Sequence, residues 1–210
     1  MTMGRLIRRL PAPIAVWLII SLFLATRVLA EAPLENPETA KPAFSGLALF
    51  SYYSGSLDFV LEKSPSQVET RLEKMPFANI PPSLDSATEQ FTSSTTNVAH
   101  QVVYVDEGVE KLRMLVTQSR FDEARQLVKN LTNVVAQANG GLAQMEQAIE
   151  ANGQEFRVDS APAGSDLKKA YDEVLDKIDS IRQMLTLYLD IIDNMSATIP
   201  GGSGGTSLHA

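Results

Sequence analysis

Two histidines, His100 and His209, supply all the imidazole in this 210-residue chain, and cysteine is absent. That excludes disulfides, thiolate metal sites, a cysteine nucleophile and a lipid-modified N-terminal cysteine. His100 lies between Val98 and Val102, beside an apolar stripe, so it reads as a flank residue, with a pH-sensitive role as the alternative. His209 is the penultimate residue. The sequence holds no G-x-S-x-G, no H-E-x-x-H, no glycine-rich phosphate loop ending in Lys-Ser/Thr, and no D-x-D-x-D-G calcium loop. Carboxylates are plentiful, but general acid–base chemistry needs two of them in unlike, partly buried surroundings. Asp172, Asp176, Asp179 and Asp193 fall on the polar side of a helical pattern and read as a solvated face. Tyr171 and Tyr188 fall in its apolar stripe, where a ring packs and its hydroxyl reaches for a partner. The glycosylation acceptor pattern occurs at Asn130 (NLT) and Asn194 (NMS), and it matters only in a host that glycosylates exported proteins. The sequence therefore assigns no catalytic, cofactor-binding or metal-ligating residue, and the expectation is a protein that is not an enzyme and needs no cofactor.

Charge is distributed unevenly. The chain has 18 Lys and Arg against 25 Asp and Glu, a net of -7. Arg5, Arg8, Arg9 and Arg27 lie in the first thirty residues, which contain no acid, so the remainder stands at 14 against 25, or -11. So acidic a body repels phosphate backbones, which argues against nucleic acid as a partner. The basic start precedes an apolar run from Ile14 to Ala25, about 12 residues against the ~20 that span a bilayer, and "VLA" follows. This is the anatomy of a secretory signal peptide over residues 1–30, with cleavage after Ala30. The alternative is an uncleaved leader acting as membrane anchor. In both readings the body is exported, secreted or extracytoplasmic.

Residues 31–46, with Pro33, Pro37 and Pro42 spaced through polar residues, read as a proline-rich linker. Residues 200–210, "PGGSGGTSLHA", read as a flexible Gly/Ser tail of the kind that joins modules, or else as an ordinary terminus. Between them, residues 47–199 read as a helical bundle domain. In its last segment Leu167, Tyr171, Val174, Ile178, Ile181, Leu185, Tyr188, Ile192 and Met195 alternate steps of four and three, which predicts a helix over 166–195 capped by Ser165. Glu173 and Lys177 have the spacing of a supporting pair, and Leu187, Leu189 and Ile191 widen the stripe toward a second neighbour.

The same alternation from Phe121 through Leu131, Ala138 and Met145 to Ile149 predicts a helix over 121–152. Its register survives Gly140–Gly141, although two glycines cost a helix about 2 kcal/mol relative to alanine. That pair is either a close helix–helix approach or hinge, or a tolerated weak spot. A third stripe, Leu84 to Val116 with Ser94 in one slot, predicts a helix over 84–118, with Ser86 and Glu89 at capping-box spacing. Ser119 and Asp122 are placed to cap the helix that follows. Ser64, Pro65 and Gln67 open a short helix over 65–75. Leu57, Phe59 and Leu61 alternate with Asp58, Val60 and Glu62 after Ser54–Gly55, which predicts a strand or small hairpin over 47–62.

The expected fold is all-α: an antiparallel bundle of three long helices plus a short N-terminal helix, with a small β-hairpin packed on it. Its layout resembles the exported helical modules that stand at the front of bacterial or archaeal surface proteins, a likeness of architecture that assigns no residue. The expected function is a non-enzymatic module for protein–protein interaction or spacing in a cell-envelope or secreted surface protein. Its partners would be other proteins, further domains of a longer chain or another copy, with the membrane touched only through an uncleaved leader. The alternative is a sensor-type bundle holding a small ligand between helices, where Gly140–Gly141 would stand beside Ser94, Thr95 and Thr96.

Overall fold

A computed structural model describes residues 44–77 and 80–200. The signal peptide assigned to 1–30, the linker up to residue 43 and the tail from residue 201 lie outside the described residues. The fold is all-α. Its helices are α1 (Gly46–Leu61), α2 (Pro65–Glu73), α3 (Pro82–Thr117), α4 (Phe121–Glu155) and α5 (Asp166–Ala197), with a 3₁₀ turn at Val158–Ser160 between the last two. Among the described residues there is no strand, and no helix is long and apolar enough to cross a membrane.

The three long stripes are buried much as their periodicity requires. Val98, Val102, Val105 and Leu112 of α3, Leu131, Val135, Ala138, Leu142, Met145 and Ile149 of α4, and Val174, Ile178, Ile181, Leu185 and Ile192 of α5 are fully enclosed. α3 and α4 run antiparallel, since Gly108 faces Leu131 and Val98 faces Gly141. α5 runs back along α4, with Tyr171 against Gly153 near one end and Arg182 paired to Glu146 further along. Leu187 departs from expectation: it is 62% exposed and widens no buried stripe.

Residues 47–62 form a helix and not a hairpin. The stretch is so rich in apolar residues that alternation at Leu57, Phe59 and Leu61 does not discriminate between periods. The buried set decides it: Leu49, Phe50, Tyr53, Leu57 and Val60 lie at helical steps and are fully enclosed. Ser45 caps the start, accepting from the Ala48 amide at 3.2 Å. Ser54 and Gly55, which resemble a turn, instead lie against side chains of α5 and α2. The end of the expected linker also belongs to the fold, because Phe44 packs on Phe77 and Phe156. α1 is thus a fourth bundle member, packed on α5 and α3, and α2 lies across α1 and α3.

The helix ends follow local chemistry, not always at the residues the sequence suggests. Ser165 caps α5 as expected, accepting from the Lys168 amide. Ser64 makes no capping bond, and its hydroxyl donates to the Glu62 carbonyl. α3 begins at Pro82, so Ser86 lies inside the helix. Ser119 terminates α3 instead of capping α4. It takes φ 58°, and the Arg120 and Ser119 amides bond back to the Leu115 and Val116 carbonyls, a left-handed C-terminal cap built without glycine.

Candidate functional site

The chemistry-bearing side chains gather along the seams where α1 meets the long helices. On α5, Lys177 is only 18% exposed. Its ammonium lies 2.7 Å from Asp58 and 3.1 Å from Glu173, and donates to Ser54 Oγ at 2.7 Å. Ser54 in turn donates to Glu173 at 2.6 Å. Burial pulls the Lys177 pKa down, but the bonds to Asp58 and Glu173 outweigh it and hold the group above its usual value. The Ser54 and Lys177 hydrogen bonds hold Glu173 below the ordinary carboxylate range. The Glu173–Lys177 pair read from spacing exists, and its further role is to clasp α1.

A second cluster stands at the far end of α1. Asp106 of α3 accepts from Lys63 and from the Tyr188 hydroxyl of α5, and the Lys63 ammonium lies 5.6 Å from the Tyr188 ring centroid. The bonds from Lys63 and Tyr188 hold the Asp106 carboxyl below its usual range. Burial, with the bond to Asp106, pushes the Tyr188 phenol up. Tyr188 therefore does what its stripe position suggests, a packed ring with a bonded hydroxyl.

The third cluster is enclosed. Asn152 Nδ2 of α4 donates to the Tyr53 hydroxyl at 3.0 Å, and that hydroxyl donates to Thr88 Oγ1 of α3 at 3.2 Å. Burial pushes the Tyr53 phenol up to about 12, so it stays neutral across the physiological range. Asn152 Oδ1 is buried without a partner among the described residues. A helical step of three from Ile149 reaches Asn152, so the spacing that marks the stripe also places this polar residue on the buried face.

Other singled-out residues stand apart from these clusters. His100 is an exposed flank residue whose Nε2 lies 2.7 Å from Glu69 of α2. Tyr171 packs edge-on to Phe50 at 5.2 Å, and its hydroxyl bonds to nothing among the described residues. Asn130 and Asn194 are exposed on helices, as are Asp172, Asp176, Asp179 and Asp193. Gly140 and Gly141 separate in role. Gly140 is exposed and has nothing within 4 Å of an added Cβ, which makes it the tolerated weak spot, whereas a Cβ on Gly141 would lie 2.6 Å from Val98 Cγ2. Gly141 is the close approach. Ser94 donates to Gln144 at 3.0 Å, Thr95 to the Phe91 carbonyl at 2.7 Å and Thr96 to the Thr92 carbonyl at 3.1 Å.

In each cluster donors and acceptors from different elements meet, and their bonds tie those elements together. The chain matches no protein-family model, no curated protein and no solved structure.

Proposed function

We propose that this chain is a non-enzymatic, exported helical module of a cell-envelope or secreted surface protein, acting in protein–protein interaction or spacing. Three long helices, antiparallel in sequence, form its frame, and α1 braces half of it. The observation that carries the reading is the contrast between seams and surface. In the seams Lys177 with Asp58, Lys63 with Asp106 and Arg182 with Glu146 clasp one element to another, while Tyr104, Met114 and Leu187 of the long helices face solvent. Aromatic and methionine side chains are enriched in the cores of protein interfaces. The basic, apolar and small-residue order of the leader supports export.

Sedimentation and co-purification of the full-length chain from its envelope fraction test the proposal. The expected result is a partner, or a second copy, whose recovery falls with Leu187→Glu while thermal stability stays unchanged. A chain that sediments as a monomer and recovers no partner, or one that remains in the cytoplasm, overturns it.

A further inference from the structure

Five cations among the described residues are half-buried: Arg71, Arg125, Lys168, Lys177 and Arg182. Four of them have a carboxylate within 4.0 Å, namely Asp122, Asp172, Asp58 with Glu173, and Glu146 with Asp179. Arg71 has none among the described residues, in a chain of net charge -7. Withdrawing a guanidinium from water is costly unless charge or hydrogen bonds replace the hydration. What Arg71 has is neutral. Nε donates to Ser56 Oγ at 3.2 Å, Nη2 to the Tyr52 carbonyl at 3.4 Å, and the group lies 4.8 Å from the Tyr52 ring centroid. The Tyr52 hydroxyl donates to the Arg71 carbonyl and closes the clasp. Gly55 makes the room, because a Cβ there would lie 2.5 Å from Nη2. Nη1 has no acceptor among the described residues.

Arg71 lies on the wall of a cleft of about 580 Å³, which Tyr52, Phe59 and Pro76 line with apolar surface and Thr70 and Lys74 with polar groups. That volume is within the range of small-molecule sites. Lys74 is exposed, three residues on from Arg71 along the chain, and pairs with no carboxylate among the described residues. A guanidinium held in place by neutral acceptors, with Nη1 unengaged, suits a carboxylate, whose oxygens accept charge-assisted N–H bonds. We infer that this cleft binds a small organic carboxylate with an apolar body, its charge on Arg71 and Lys74 and its ring or branched chain against Phe59 and Pro76. An inorganic anion would meet the charge and leave the apolar wall wet. A neutral aromatic would do the reverse. The site is independent of the surface-protein reading: it can be occupied whether or not a protein partner exists.

The test is a titration of the full-length chain with benzoate, followed by the Arg71 Nε–H and the Thr70 and Lys74 amide resonances. Benzyl alcohol and inorganic phosphate serve as controls. The expected result is saturable shifts confined to the cleft with benzoate alone. Arg71→Gln should weaken binding about tenfold or more, the ordinary worth of a charge-assisted hydrogen bond. Gly55→Ala, which displaces the guanidinium, should also weaken it, and the exposed Lys74→Gln should cost about twofold to fivefold with no effect on folding. Should Arg71→Gln fail to fold, Lys74→Gln and the wild-type Nε–H shift decide. Equal shifts with benzyl alcohol, equal competition by phosphate, no shift with benzoate, or unchanged binding in the variants would overturn the assignment.

Discussion

The half of the bundle that α1 covers and the half it leaves bare are held together differently. In the covered half Phe44, Phe50, Tyr52, Phe77, Phe156 and Tyr171 pair at centroid separations of 5.2 to 6.1 Å, mostly edge to face. Tyr53 stacks on Phe91 at 3.7 Å. Beyond Asp106 the enclosed side chains include Val109, Leu112, Leu115, Ala124, Leu127, Leu131, Leu185, Ile192 and Ile199, all aliphatic. Rings are large and their pairing is directional, so the covered half needs a fourth helix to enclose it and a polar network to fix its arrangement. Aliphatic side chains interdigitate over a wider choice of partners. There, three helices suffice, and Gly108 lets two of them close. Geometry that specifies one arrangement is concentrated in the covered half.

Phe50→Ala should break that half with the largest effect. Phe50 is fully enclosed and pairs with Tyr53, Phe156 and Tyr171, so its removal should cost about 3–5 kcal/mol in urea unfolding. Amide exchange should accelerate in α1 more than in the far end of α4. Equal acceleration at both ends would mean that the two halves unfold as one unit. Gly108→Ala probes the bare half. Its Cβ would lie 2.3 Å from Leu131 Cδ2 and 3.3 Å from two further Leu131 atoms. Overpacking of that kind costs about 1–3 kcal/mol. A neutral result would show that the aliphatic seam has slack.

The same contrast explains what could be read in the sequence. In the long helices, steps of three and four recur without a competing signal, and Val174, Ile178, Ile181 and Leu185 are buried as that pattern demands. In α1 nearly every residue is apolar or small, so the pattern carries no period, and Ser54–Gly55 mimics a turn. Their reasons for being small are tertiary: Ser54 receives Lys177, and Gly55 lies under Arg71. Nothing local marks either. The seam clusters escaped for the same cause, since Lys63, Asp106 and Tyr188 are far apart in the chain and meet only once α1 is docked. Gly141 against Gly140 is the sharpest instance. Adjacent identical residues differ in role because one faces Val98 and the other faces solvent.

Two smaller substitutions sharpen these points. Tyr53→Phe keeps the stacked ring and removes the hydroxyl shared by Thr88 and Asn152. Leaving buried polar groups unpaired should cost about 1–3 kcal/mol, read as a lowered urea midpoint with an unchanged slope. No loss would mean that the covered half is specified by ring packing alone. Gly140→Ala should act in the opposite direction, since the site is open and helical. Alanine there should add about 1 kcal/mol, whereas Gly141→Ala should not stabilise, because Val98 must move first.

The smallest effect belongs to the boundary between the halves, where Lys63, Asp106 and Tyr188 meet. The Asp106 carboxyl is held below its usual range by the bonds it accepts from Lys63 and Tyr188. A carboxylate with a depressed folded pKa contributes stability above its unfolded value, near 3.9, and loses it as pH falls through the folded value. Lys63, raised by the same bond, contributes below its own unfolded value and loses it only as pH rises through a still higher folded one. The latch is therefore closed across the neutral range and opens first on the acid side. Lys63 and Asp106 are 38% and 39% exposed, so solvent screening should keep the effect to about 1 kcal/mol or less. Asp106→Asn should lower the urea midpoint by a constant amount above about pH 5, and its difference from the parent should shrink below about pH 4. A difference that persists unchanged at pH 3 would mean that Asp106 acts there through shape and not charge, and that the boundary between the halves is set by packing alone.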